Sequence, residues 1–303
     1  MADRLRSWRP GPTRDAIVDF LDDVGDVPAE DRVAHLDNDG TLWCEKPTYV
    51  QYDFLVDELH RRSADDPALS DRPEFAAILD DDAGAMGELG LERIAVALTS
   101  LFDGWTPDEF ATSVDAFVRR YRHPTRRAPI GSIVYQPMVE LLDELRAHGF
   151  TIGIATGGGT EFVRRVSLDL YGVAPEMVVG TLIGYELDRD TAGRPLLRRT
   201  VARTGPVNEG AAKVSHIQSQ LGRAPILAAG NSAGDRELLE WALAGRHQGL
   251  ALLVDHDDDE REFAYESRAG TIADTEPIAS LADRLGWVTV SMRRDWATVF
   301  AAS

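Results

Sequence analysis

Ile17, Phe20, Leu21 and Val24 recur at helical spacing behind Thr13, whose side chain suits an N-cap, and predict a helix over 13–24. After Pro28, Arg32–Asp37 reads as a short buried strand running straight into the turn formers Asn38-Asp39-Gly40-Thr41. From about Thr48 to Arg122 the periodicity is helical almost throughout, with helices expected over 49–62, 74–79, 91–102 and 107–121. From Gln136 the pattern alternates instead. A helix over 137–148 precedes a strand over 151–156 and a helix over 160–171. Strands around 177–188 and 195–199 follow, the latter part a hairpin turned at Asp190–Gly193. Helix 209–221, strand 225–229, helix 235–243 and strand 250–254 complete the alternation, and a further helix is expected over 259–266 after the acidic turn that holds Asp255 and His256.

Strand-helix alternation of this kind predicts an α/β fold, a doubly wound parallel sheet with right-handed crossovers. The helical stretch is then an insertion after the first strand. The expected organisation is an α/β hydrolase-type core over 1–45 and 130–303 and an α-helical cap domain over 46–129. Trp43, Tyr49, Tyr52 and Phe54 are expected to pack as cap core, and the arginines at 61, 62, 119, 120 and 122 to be solvated.

Charge narrows the partners. Fifty-one acidic against 32 basic residues give a formal charge of −19, which repels nucleic-acid phosphates and anionic headgroups, so neither nucleic acid nor membrane is an expected partner. A small anionic substrate would need local cations to overcome that field. No apolar run approaches the about 20 residues of a membrane span, and no secretory signal pattern stands at the start, so a cytoplasmic location is expected. The single cysteine, Cys44, excludes an internal disulfide and a cysteine-built zinc site.

In an open parallel sheet the ligand sits at the carboxyl ends of the strands. The segments that follow the predicted strands are Asp37-Asn-Asp-Gly-Thr41, Thr156-Gly-Gly-Gly159 and Gly230-Asn-Ser-Ala-Gly-Asp235. Asp37 and Asp39 offer oxygen ligands to a hard cation, and Thr156 with its glycines offers a hydroxyl and backbone N–H groups to a phosphate oxygen. Lys213 is one of only two lysines, against 30 arginines, and lies on the helix leading into the third of these strand ends. Its compact ammonium suits a phosphoryl group. Asn231 and Asp235 could complete a metal shell, or Ser232 and Asp235 could simply start the next helix.

This set resembles the four motifs of the haloacid dehalogenase superfamily, and within it the phosphoserine phosphatase-like branch with a helical cap. The resemblance implies a magnesium-dependent phosphomonoester hydrolase acting through an aspartyl-phosphate on a small phosphorylated metabolite, phosphoserine being one possibility. Asp37 would be the nucleophile and Asp39 the acid/base; Thr156, Gly157 and Lys213 would hold the phosphoryl oxygens. Asp37, Asp39, Asn231 and Asp235 would form the Mg2+ site, with Asp235 orienting a bound water or pairing with Lys213. Position 231 departs from the commonest family pattern, an aspartate, which implies weaker magnesium binding. Glu45 resembles in location a glutamate that sets specificity for a substrate ammonium. Closure of the cap is expected to choose the substrate. Two other outcomes remain open on the same fold, a non-catalytic phospho-ligand-binding protein and a phosphotransferase or mutase; the oligomeric state is open too.

Overall fold

The computed structural model describes residues 4–272 and 276–301. It divides into two compact units.

The first unit holds the chain up to Lys46, Arg122–Thr181 and the chain from Pro206 onward. Its centre is a six-stranded sheet of β1 (Val33–Leu36), β2 (Thr151–Gly159), β3 (Val178–Thr181), β6 (Leu227–Gly230), β7 (Leu250–Asp255) and β8 (Val288–Ser291). The strand order is β3-β2-β1-β6-β7-β8, and every pairing is parallel. The chain builds outward from β1 in one direction and then restarts beside it in the other, so β1 and β6 flank a topological switch point, where the crevice beyond the strand ends takes ligands in folds of this kind. β1 is buried along its whole length, as a central parallel strand must be.

Helices α1 (Pro12–Asp23), α7 (Gln136–Ala147), α8 (Thr160–Tyr171), α9 (Ala211–Leu221), α10 (Arg236–Leu243) and α11 (Ile278–Leu285) belong to this unit, with a last turn at α12 (Met292–Asp295). One face of the sheet presents Ala155, Ala228, Ala251 and Leu253, against which Ile217 of α9, Leu238, Leu239 and Ala242 of α10, and Leu281 of α11 form a continuous core. Small side chains on the strands leave room for bulky ones on the helices. His35 lies within β1, its ring nitrogens unpartnered, and burial drives its pKa down to about 3, so it packs as a neutral ring.

The helix expected over 259–266 does not form. Asp258 accepts from the Glu260 and Arg261 amides, and the Arg261 guanidinium donates to the Trp296 and Met292 carbonyls, so side-chain bonds hold this segment as turns. Beyond it, α11 and β8 extend the alternation past the last predicted strand.

The second unit contains Pro47–Tyr121 and Leu182–Gly205. It comprises α2 (Val50–Asp65), α3 (Pro73–Leu79), α4 (Ala83–Leu89), α5 (Leu91–Ser100) and α6 (Pro107–Arg120), joined by the antiparallel hairpin β4 (Ile183–Arg189) and β5 (Pro195–Arg203). Thr106 and Glu109 form a capping box that starts α6. Phe54 stacks on Phe102 at 5.4 Å between ring centres and meets Phe110 and Phe117 edge-on.

The hairpin was expected within the core, yet it packs with these helices. The Arg199 backbone donates to the Trp105 carbonyl and accepts from the Gly104 amide, while its guanidinium lies 4.0 Å over the Phe110 ring. Those bonds join positions about a hundred residues apart in sequence, a pairing that no local pattern announces.

Candidate active site

The carboxyl ends of β1, β2 and β6 carry the segments singled out in the sequence. Asp37 follows β1 directly, and its amide donates to the Ala229 carbonyl of β6 at 2.9 Å, which pins the first segment to the neighbouring strand. Lys213, buried on α9, donates to Asp37 Oδ1 at 2.6 Å and to Asp235 Oδ1 at 2.5 Å. Burial and the neighbouring Asp235 push the Asp37 carboxyl well above its usual range, against the opposing pull of Lys213. Burial works against the Lys213 charge, but Asp235 and Asp37 outweigh it and hold the ammonium protonated.

Asp235 is occupied on both oxygens. Oδ1 faces Lys213, and Oδ2 accepts from the Asn231 and Ser232 amides at 3.0 and 3.1 Å. Gly230 is needed beside it, because a Cβ there would lie 2.4 Å from the Asp235 Cγ. Ser232 and Asp235 also cap the turn that leads into α10, so helix capping and Lys213 pairing share one carboxylate.

Asp39 is only partly buried. Its Oδ1 accepts from the Trp43 indole N–H at 2.8 Å, and its Oδ2 lies 3.5 Å from the Thr156 hydroxyl. Desolvation raises its pKa despite the bonds from Trp43 and Asn38. Trp43, expected among the cap aromatics, is fully buried in the first unit and serves Asp39 instead.

On β2 the Thr156 hydroxyl accepts from the Gly158 amide at 3.0 Å. Its carbonyl takes a bond from Asn208, whose amide group also reaches the Val179 carbonyl and so ties the ends of β2 and β3 together. A side chain at Gly157 would press on Glu209, which accepts from the Gly270 and Thr271 amides. Neither Asn208 nor Glu209 stands in a recognisable motif, and their proximity to Thr156 and Gly157 exists only in three dimensions.

The Asn231 side chain is buried. Its Nδ2 donates to Ser267 Oγ at 3.1 Å and to Glu45 Oε1 at 3.4 Å, and its Oδ1 accepts from the Thr41 hydroxyl at 3.4 Å. Glu45 is itself buried, and burial raises its carboxyl against the opposing influence of His256 and Tyr265. Gly40, at φ 74°, passes so close that an added Cβ would sit 2.0 Å from Asn231 Nδ2. Its carbonyl lies 2.8 Å from His256 Nε2. His256, expected at the rim or in an acidic turn, is buried, stacked on Tyr265 at 4.4 Å and 3.3 Å from Glu262. Glu262 in turn accepts from Tyr135 and Cys44. Burial alone would raise the Glu262 carboxyl, but the bonds and charge it meets hold it below the usual range.

The donor set suits a hard divalent cation. Asp37 and Asp235 share the Lys213 ammonium and Asp39 stands beside them, an oxygen-rich set in which carboxyl groups outnumber the cation. Among the described residues no three His, Cys, Asp or Glu side chains converge as a ligand cage. A set built from one carboxylate, a main-chain carbonyl and a side-chain amide needs no such cage.

Residues 34–240 match the family model of the haloacid dehalogenase-like hydrolases. The chain belongs to this family. Haloacid dehalogenase-like hydrolases are enzymes, and the matched span begins in β1 and ends in α10, so it takes in the three strand-end segments and Lys213. No curated protein matches the chain. Among solved structures, a conserved functionally unknown protein from Anaerococcus prevotii DSM 20548 is similar at 15% identity and a TM-score of 0.56, over 89% of this chain and 88% of that one. A protein of unknown function from Bordetella pertussis Tohama I is similar at 17% identity and a TM-score of 0.51, over 86% and 97%. Both likenesses concern the fold. Among the described residues no helix is long and apolar enough to cross a membrane.

Proposed function

We propose that this hydrolase is a magnesium-dependent phosphomonoesterase that works through an aspartyl-phosphate on Asp37, with a small phosphorylated metabolite as substrate. The observation that carries the reading is the buried Asp37–Lys213–Asp235 chain of ion pairs beside Asp39 at the switch point of the sheet. It combines a nucleophile, a cation for phosphoryl oxygens and a second carboxyl for proton transfer in one cluster.

Held at Oδ1 by Lys213, Asp37 presents its other oxygen to phosphorus. The new O–P bond forms as the bond from phosphorus to the leaving group breaks, and the departing alkoxide takes a proton from Asp39. Water then attacks phosphorus and gives a proton back to Asp39; the Asp37–phosphate bond breaks and the carboxylate returns. Trp43 aims Asp39 throughout, by the bond to its Oδ1. Two of the three Lys213 N–H groups are taken by Asp37 and Asp235; the third, with the Thr156 hydroxyl and the Gly157 amide, would steady the phosphoryl oxygens as charge shifts. Asp37, the Asp39 carbonyl and the Asn231 side chain would hold magnesium, which when bound neutralises charge on the phosphoryl group. Asp235, with both oxygens engaged, acts as the partner that holds Lys213.

Phosphate release from p-nitrophenyl phosphate and a panel of phosphomonoesters that includes O-phosphoserine, in magnesium and in EDTA, tests this for the wild type and Asp37→Asn. Metal-dependent turnover lost in the variant is the expected result. Absence of turnover on every substrate by folded, magnesium-loaded protein would overturn it.

A further inference from the structure

Resting on the magnesium reading above, we propose that Glu45 is a positioning residue for Asn231: it orients the amide and supplies, one hydrogen bond away, the negative charge that an aspartate at 231 would have carried. An amide is a neutral ligand with two ends, and a cation can use only its oxygen. Both N–H bonds of Asn231 are directed at acceptors, Glu45 Oε1 and Ser267 Oγ. Rotating the amide by half a turn would set its oxygen against the Glu45 carboxylate, two acceptors facing each other with no proton between them. Glu45 therefore selects the orientation that leaves Oδ1 on the side of Thr41.

The contact is tight as well as polar. Gly40 packs against both side chains, and a Cβ there would lie 2.0 Å from Asn231 Nδ2 and 3.0 Å from the Glu45 Cδ. Glu45 is 6% exposed and Asn231 3% exposed, so the carboxylate acts through little intervening water and its field on the amide is weakly screened. A Glu45 oxygen committed to Asn231 is also poorly placed to receive a substrate ammonium. Its function is then to tune the ligand, as the partners behind metal ligands commonly do.

The test measures magnesium binding by titration calorimetry, and thermal unfolding in EDTA, for the wild type, Glu45→Gln, Asn231→Asp and the double variant. Glu45→Gln keeps an acceptor for the amide and removes the charge, and should weaken magnesium binding by about tenfold, the lower end of the usual effect of altering such a partner. Its melting temperature in EDTA should change little, whereas a merely structural role would lower that temperature and leave the affinity alone. Asn231→Asp should lower the melting temperature in EDTA, because it opposes two buried carboxylates, and the double variant should recover it. Should Glu45→Gln not fold, Ser267→Ala removes the other acceptor and should weaken binding in the same direction, by less. Glu45→Gln binding magnesium as tightly as the wild type, Ser267→Ala doing so where Glu45→Gln does not fold, or strictly additive effects of Glu45→Gln and Asn231→Asp on the melting temperature, would overturn the assignment of Glu45 alone. A wild type that binds no magnesium would overturn it together with the reading it rests on.

Discussion

The indole N–H of Trp43 donates to Asp39 Oδ1 at 2.8 Å, four residues along the same loop. A large, fully buried ring thereby fixes the carboxyl that would carry the proton in each half-reaction. Trp43→Phe keeps most of the packing and removes the bond. It should lower kcat by about tenfold to a hundredfold, the scale of general acid–base catalysis that is lost in part, and leave KM nearly unchanged. Steady-state kinetics on p-nitrophenyl phosphate read the split; a change confined to KM would mean that Trp43 serves the substrate instead.

Asp235 can be separated from the metal by measurement. Its oxygens face Lys213 and two backbone amides, so Asp235→Asn breaks a buried ion pair and should destabilise the fold by about 3–5 kcal/mol. Magnesium affinity of the surviving folded protein should stay close to that of the wild type. A large loss of affinity with stability intact would make Asp235 a ligand.

Gly40→Ala meets two obstacles at once, a left-handed backbone at φ 74° and a Cβ placed inside the Asn231 amide. Strain of the first kind alone destabilises by about 1 kcal/mol or more. The expected result is a lowered melting temperature together with loss of activity beyond what the stability change explains, since the whole segment from Asp37 to Thr41 must shift. Chemical denaturation paired with activity at saturating substrate checks both halves.

Glu58 in the helical unit carries a pH dependence. Burial alone would raise its carboxyl, but hydrogen bonds from Arg61 and Arg62 outweigh that and hold its pKa below the ordinary glutamate value of 4.5. A depressed carboxyl stabilises the fold above its unfolded pKa, because the unfolded chain binds the proton more readily, and that stability is lost as pH falls below about 4.5. Glu58→Gln should therefore be less stable than the wild type at pH 7, by about 1–3 kcal/mol, and the gap should narrow toward pH 3.5. Urea denaturation of both proteins at the two pH values measures it; a gap that stays constant would assign the effect of Glu58 to packing.

Magnesium should also stabilise the folded chain by mass action. At a metal concentration about 100 times the dissociation constant the gain is about 2.7 kcal/mol. Thermal unfolding with and without EDTA should show it for the wild type and much less for Asp37→Asn.

The alternation of strand and helix, the helical stretch after the first strand and the strand-end segments that hold Asp37, Thr156 and Asn231 were all legible in the chain, because each is a local matter of period and turn chemistry. Lys213 stood out for the same kind of reason, as a rare lysine on a helix between two such segments. What joins these residues is not local. The Lys213 ammonium reaches Asp37 across 176 positions and the Asn231 amide reaches Glu45 across 186, and neither separation leaves a period to read. Trp43 looked like one more core aromatic, His256 like part of an acidic turn, and the 183–203 hairpin like part of the sheet unit. Each was decided by the neighbour it meets in the fold: Asp39, four residues back on the same loop, for the indole, Gly40 for the imidazole, and Trp105 and Phe110 for the hairpin. Hydrophobic period and turn residues specify most of the elements that form; which buried donor meets which acceptor depends on how those elements pack, and only folding brings partners so distant in sequence into contact.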